Sequence, residues 1–268
     1  MFSVLMSIYI KENPYWFERA MESIWYGQKI KPSEIILVQD GPLTSELYVS
    51  IATWQDRLGD VLKCIPLEKN LGLGDALNIG LKYCSNDIVA RMDTDDIAMS
   101  DRFEKQLAIL QQGDIDICSS WVSEFDNDES FISGTRYLPE HHETIIEYAK
   151  FRSPINHPAV MYKKSAINKA GGYKKMMWFE DYYLWVRMLL AGCKFYNIQE
   201  PLVHMRAGFS QLERRSGMAY ARSEFELLKE FRKLGFLNVL EFWIIISLRI
   251  PMRFLPKTLI LKVYKILR

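Results

Sequence analysis

Two hydrophobic rhythms alternate along this chain. Short, nearly unbroken apolar runs at 2–9, 34–39, 61–65, 87–92 and 115–122 have the length and make-up of buried strands. Between them, apolar residues recur at helical spacing. Phe17, Ala20, Met21, Ile24 and Trp25 form one stripe, behind an Asn13 cap and Pro14 at the first helical position. Leu73, Leu77 and Leu81 mark a second helix, and Phe103, Leu107 and Leu110 a third, for which Ser100 is the expected cap. Further on, 163–170 and 180–191 read as helices, and 194–198 and 202–205 as short strands. Strands alternating with helices predict an α/β fold with a mainly parallel sheet covered on both faces.

Ligands of such sheets bind beyond the carboxyl ends of the strands. Tyr9, Asp40 and the run Asp93-Thr94-Asp95-Asp96 all fall at predicted strand ends. If 93–95 is extended, Asp93 and Asp95 project together, because side chains two apart share a face. Two carboxylates on one side suit a hard divalent cation, Mn²⁺ or Mg²⁺, completed by water and diphosphate oxygens. Such an ion stabilises a diphosphate leaving group by several kcal/mol; the plainer alternative is an acidic turn capping the next helix. Asp40 is placed to accept hydrogen bonds from a nucleobase or ribose, or else belongs to an ordinary Asp-Gly turn. Tyr9 is placed to stack on a base or to pack. Gly72 and Gly74 lack the Lys-Ser/Thr of a P-loop and open a helix. Glu180-Asp181 begins another, where the dipole favours an ionised carboxylate. That suits a general base for a sugar hydroxyl, and it equally suits a cap. The neighbouring Trp178, Phe179, Tyr182 and Tyr183 would line a carbohydrate site or fill the core.

Composition narrows the field. The 268 residues are 49% hydrophobic and 25% charged, which excludes a disordered or collagen-like chain. A net charge of +1 excludes a generally basic nucleic-acid binder. The four cysteines, Cys64, Cys84, Cys118 and Cys193, are scattered without a CxxC pair and read as buried, reduced thiols of a cytosolic protein. The apolar N-terminus reaches Lys11 and Glu12 at once and reads as a first strand, not a signal peptide.

Taken in order, VLMSIY at 4–9, ILVQDGP at 36–42, NLGLGDALN at 70–78, ARMDTDD at 90–96, DRFEKQ at 101–106 and GGY…FEDYYLW at 171–185 resemble a family-2 glycosyltransferase. The likeness is to the small bacterial enzymes that build O-antigen or capsule repeat units, and it spans roughly residues 1–210. It implies the GT-A fold, Rossmann-like, with a donor-binding half at about 1–122 and an acceptor-binding half at about 123–210. By the same likeness Ser7, Tyr9 and Asp40 would hold the uridine of a UDP-sugar. Asp93 and Asp95 would form the DxD motif, with Asp95 the principal metal ligand and Asp93 nearer the ribose or metal. Asp181 would deprotonate the acceptor hydroxyl. Family members invert the anomeric centre by direct displacement, which fits a chain without a recognisable Ser-His or Cys-His arrangement. The processive signature QxxRW is broken here, since Gln211 and Arg214 are followed by Arg215. Transfer of a single sugar is therefore expected. His204 falls on a strand and is left out of the site. His157 is read either as structural or as touching a substrate.

The end of the chain differs from the rest. Residues 235–268 carry Arg249, Arg253, Lys257, Lys262, Lys265 and Arg268 against the single acid Glu241. The stretch 235–250 is apolar but interrupted by Asn238, Glu241 and Arg249, too short and broken for the roughly 20 apolar residues of a span. From Lys257 the bases fall on one arc of a helical wheel and the apolar residues on the other, Leu261 excepted. This is the pattern of a helix lying on an anionic membrane, with packing against the catalytic domain as the alternative. The expected division is thus 1–210, catalytic, and 211–268, helical and membrane-associating. The leading expectation is an inverting, metal-dependent transfer of one β-linked hexose, glucose or galactose, from UDP to a GlcNAc-type sugar on undecaprenyl diphosphate. It would occur peripherally, on the cytoplasmic face of the inner membrane. A phosphohydrolase with an aspartyl nucleophile and a non-catalytic nucleotide-binding or scaffold protein are the rivals.

Overall fold

A computed structural model describes residues 1–207 and 216–254. Four strands, β1 (Ser3–Ile8), β2 (Glu34–Gln39), β3 (Leu62–Pro66) and β4 (Ile88–Arg91), pair in parallel in the order β3-β2-β1-β4. The sheet continues through β8 (Met161–Lys163), β6 (Ile117–Phe125), β9 (Phe195–Arg206) and the two-residue β5 (Ile97–Ala98). Here β8 runs antiparallel to its neighbours, β6 and β9 run parallel, and β7 (Gly134–Arg136) pairs along β6. The carboxyl ends of β1, β2, β4, β6 and β9 therefore share one edge.

Alternate residues of the central strands supply the two cores, as the two-residue period requires. Val4, Met6, Ile35 and Leu37 face α1 (Pro14–Ile24), α2 (Ser45–Leu58) and α4 (Arg102–Gln111). Leu5, Ile36 and Val38 face α3 (Leu73–Tyr83), α5 (His142–Phe151), α6 (Lys164–Lys169) and α7 (Glu180–Leu190). Gly80 lets α3 lie close on the sheet, since a Cβ there would meet Val38 at 2.7 Å and Leu5 nearer still. The last described helices, α8 (Met218–Lys233) and α9 (Val239–Arg249), bury Tyr220, Leu227, Phe231, Phe242 and Ile245 against Phe179, Tyr182, Tyr183 and Val186 of the α7 region.

The expected architecture is present, with four local differences. Helix α2 escapes the strand-helix reading, although Leu47, Ile51, Trp54 and Leu58 form its buried stripe behind a Thr44 cap. The expected short strands 194–198 and 202–205 are one strand, β9, whose register slips opposite Ser120–Trp121 and breaks its alternation. Ser100 does not cap α4, which starts at Arg102 after Asp101; the Ser100 carbonyl instead accepts the Lys29 amide. Three of the four aromatics around Asp181, namely Phe179, Tyr182 and Tyr183, are core, and only Trp178 is exposed. Gln211, Arg214, Arg215 and the basic helix expected from Lys257 lie outside the described residues.

Candidate active site

The site is built where β1, β2 and β4 end. The Asp40 amide donates to the Ile8 carbonyl at 2.8 Å, setting the ends of β2 and β1 side by side and Asp40 next to exposed Tyr9. Ser7 is half-buried one residue before the end of β1. Asp40 itself is buried, and its two carboxylate oxygens accept the main-chain N–H groups of Leu71 and Gly72 at 2.7 and 3.0 Å. Its first task is to clamp the loop that leads into α3, and a contact to a nucleoside would use its remaining lone pairs. Gly41 makes the clamp possible. It has φ of +88°, and a Cβ there would meet the Asn70 nitrogen at 2.6 Å.

Beyond β4 the chain does not stay extended; Asp93-Thr94-Asp95-Asp96 is a turn. Its consequence goes further than the expected pairing of Asp93 with Asp95. Carboxylate oxygens of Asp93, Asp95 and Asp96 all lie within 4.8 Å of one another. Thr94 is buried, and its hydroxyl donates to Glu12 at 2.6 Å, adding a fourth carboxylate nearby. Burial, then Asp93 and Glu12, push Asp95 up to about 7. Burial, then Asp95 and Asp93, push Asp96 well above the aspartate range. Asp96 Oδ1 accepts the Arg206 amide at 2.7 Å, while buried Oδ2 has no protein partner. Three clustered oxygens, mutual repulsion and an orphaned carboxylate oxygen fit a hard divalent cation.

Buried cations support this turn. The Arg91 guanidinium straddles Asp93 with two hydrogen bonds. Arg102, wholly buried, donates to the Arg91 carbonyl at 2.6 Å and to Gln106 at 3.1 Å. Gln106 in turn donates to the carbonyls of Ala159 and Cys118 at 2.8 and 3.1 Å. Burial, then the neighbouring Arg91, bring Arg102 down to about 9, so it still carries its charge at neutral pH. The DRFEKQ segment therefore acts from underneath, through Arg102 and Gln106. On the far side, Arg206 donates to the Asp95 carbonyl at 3.3 Å, its guanidinium held over Trp16 and Phe125.

Asp181 stands in the first turn of α7, and its neighbour Glu180 lies over Gly74 at the head of α3. Tyr173 packs on the same glycine. Burial raises its phenol strongly, Arg91 opposes this, and Asp181 and Asp93 both add to it. One hydroxyl thus lies within electrostatic reach of both carboxylates. The Tyr173 backbone is locked by the Asn78 side chain, at 2.8 Å through both its N–H and its carbonyl. His157 Nε2 is 2.9 Å from the Tyr173 hydroxyl, and its ring lies edge-on to Trp185. Burial, then Arg91, lower His157 well below its ordinary value, so it is a neutral partner of Tyr173. His204 is on β9 opposite Ile97, with Nδ1 hydrogen-bonded to the Ser123 hydroxyl. Before α7, half-exposed Trp178 has φ of +66°, the one non-glycine positive φ among the described residues, and it packs on Tyr220 at 5.4 Å.

The structure places Tyr9, Asp40, Asp93 and Asp95 at the ends of neighbouring strands, and Asp181 in the first turn of α7. It adds Glu12, Asp96, Tyr173 and the arginines Arg91, Arg102 and Arg206. Of these, Asp96 was open to inspection within the acidic run, whereas Glu12 and Arg206 join it only through folding.

Comparison with known proteins identifies the family. The sequence profile of glycosyl transferase family 2 matches residues 3–171. An Escherichia coli UDP-Gal:alpha-D-GlcNAc-diphosphoundecaprenol beta-1,3-galactosyltransferase is 42% identical over 98% of this chain and 95% of its own. An amylovoran biosynthesis glycosyltransferase of Erwinia amylovora is 38% identical over 89% of each. Among solved structures, S. aureus TarS 1–349 superposes with a TM-score of 0.67 at 15% identity, covering 91% of this chain and 69% of that one. A Pyrobaculum calidifontis mannosyltransferase in complex with GDP-Man and Mn²⁺ gives 0.65 at 14% identity, covering 93% and 70%. These last two speak for the GT-A-like fold alone. Fold, site and sequence lead to one conclusion: the chain is a glycosyltransferase and belongs to glycosyl transferase family 2.

Proposed function

We propose that this enzyme transfers one hexose, with inversion, from a UDP-sugar to a GlcNAc-type sugar on undecaprenyl diphosphate. Galactose in β-1,3 linkage is the first choice, by likeness to the E. coli enzyme, and glucose the second. The observation that carries the reading is the acidic turn, three carboxylates with one buried oxygen left unpartnered. Asp95 and Asp96 would hold Mn²⁺ or Mg²⁺ with Asp93 beside them. The ion supplies charge neutralisation at the departing diphosphate. Ser7, Tyr9 and Asp40 bind the uridine end at the tips of β1 and β2. Asp181 takes the proton from the acceptor hydroxyl, which attacks the anomeric carbon as its bond to the UDP oxygen breaks. Tyr173 orients both halves of the site, and no covalent enzyme intermediate is required. Residues 1–210 form the catalytic unit, and 211–268 dock it on the cytoplasmic face of the inner membrane. No helix among the described residues is long and apolar enough to cross a membrane. An aspartyl phosphohydrolase is disfavoured, because Asp93 is engaged by Arg91 on both oxygens.

The test is a donor screen of UDP-hexoses with a synthetic GlcNAc-diphospho-lipid and Mn²⁺, with the product linkage determined. Addition of one β-linked hexose supports the reading. UDP binding without product from any donor, and unaffected by Asp181→Asn, would favour the non-catalytic alternative.

A further inference from the structure

Helix α9 has an outer face that water does not suit. Its inner face buries Phe242 and Ile245, with Phe242 against Phe225 of α8. Its exposed positions are Val239, Leu240, Trp243, Ile244, Ser247 and Leu248, with no charged group among them. Leu240 is 70% exposed, and Trp243 and Leu248 are each 59% exposed. Phe254, just beyond, is exposed as well. An ordinary surface helix puts charged and polar residues on that face. The charged groups at its rim are engaged elsewhere: Glu241 with Lys150, and Arg249 and Arg253 with buried Glu224. At about 16 Å for 11 residues, the helix is too short to span a bilayer.

We propose that α9 is the element that enters the membrane, lying flat in an anionic phospholipid surface with Leu240, Trp243, Ile244 and Leu248 below the headgroups. The inference rests on the lipid-linked acceptor and peripheral docking proposed above, and it moves the apolar contact from the basic end of the chain to a separate helix. Charge complementarity selects the occupant. The 14 residues that follow the described chain contain Lys257, Lys262, Lys265 and Arg268 and no acid, so an uncharged insertion face is succeeded by a purely cationic segment. Tryptophan at such a face matches its preference for the boundary between headgroups and acyl chains. The attachment also has a rigid route to the chemistry. Helix α9 packs on α8, and α8 packs on Phe179, Tyr182 and Tyr183, on and beside the helix that carries Asp181 in its first turn. Docking α9 thereby fixes the height of the base above the lipid surface from which the acceptor rises.

The experiment compares the full-length protein with the Leu240→Glu/Trp243→Glu variant in flotation with phosphatidylcholine vesicles containing phosphatidylglycerol. Both side chains are exposed, so the variant should keep the wild-type circular dichroism spectrum. Vesicle partitioning is expected to fall by about tenfold or more. KM for the lipid-linked acceptor in vesicles should rise correspondingly, while kcat/KM for a short-chain soluble GlcNAc-diphosphate is unchanged. Quenching by brominated lipids should diminish in the conservative Trp243→Phe variant. Unchanged flotation would overturn the inference, and so would a variant that only converts a dimer to a monomer in sedimentation. Wild-type protein that floats yet transfers to neither acceptor would refute the proposed reaction and leave the docking role of α9 standing.

Discussion

The amide of Arg206 donates to Asp96 Oδ1 across 2.7 Å, tying the end of β9 to the turn that follows β4. This bond turns Asp96 toward Asp93 and Asp95 and leaves Oδ2 unpartnered. The remote strand thereby completes a three-carboxylate cluster that the local sequence only half describes.

Asp96→Asn keeps an oxygen for the Arg206 amide but removes charge from the cluster. We expect Mn²⁺ affinity, measured by calorimetry, to fall about tenfold to a hundredfold with little loss of fold. Cation affinity in the wild type should rise as pH goes from about 5 to about 7, because protons leave Asp95 and Asp96 on binding. The sign for stability is the reverse in metal-free protein. A carboxyl raised to about 7 stabilises the fold at low pH, and that contribution is lost as pH rises through 7. Saturating Mn²⁺ should flatten this part of the Tm–pH curve.

Arg102→Met leaves the Arg91 carbonyl without its charged donor in a buried site. Loss of about 2–3 kcal/mol in urea unfolding is expected. Donor affinity should fall as well, because Arg91 then no longer holds Asp93 from a fixed backbone. Lysine should rescue poorly, lacking the fork that reaches Arg91, Val160 and Gln106 together.

Asp181→Asn should lower kcat by about 10²- to 10⁴-fold. KM for the UDP-sugar should stay within about twofold, since the role proposed for Asp181 is toward the acceptor. A loss of donor binding alongside kcat would instead make Asp181 a structural cap of α7.

Glu34 controls acid stability from the opposite edge of the sheet. Burial disfavours its ionised form, but Lys63, Ser3 and Ser85 outweigh this with hydrogen bonds and lower it to about 2. Its contribution is complete above the ordinary glutamate range and is lost as pH falls from about 5 toward 2. Glu34→Gln should remove on the order of 2 kcal/mol at pH 7 and flatten the acid limb of the stability curve.

What the sequence disclosed follows from how local each signal is. Apolar runs and helical stripes depend on neighbours in the chain, so β1, β2, β4, α1 and α3 were legible, and with them the strand ends carrying Tyr9, Asp40 and Asp93. Helix α2 was missed because its stripe of Leu47, Ile51, Trp54 and Leu58 is interrupted by small and polar residues. Asp93 and Asp95 were seen through a strand-like spacing, yet it is a turn that recruits Asp96. The partners Glu12 and Arg206 are far apart in the chain, and no periodicity marks them. Aromatic content around Asp181 did not separate core from surface, since Tyr182 and Tyr183 face α8 while Trp178 alone stays outside.

The most direct measurement is UDP binding by calorimetry with Mn²⁺ and with EDTA, in the wild type and in Asp95→Ala. Binding that requires Mn²⁺ in the wild type and is lost in the variant is the expected result. Equal UDP affinity in all four titrations would contradict a cation-holding role for the turn at Asp93, Asp95 and Asp96.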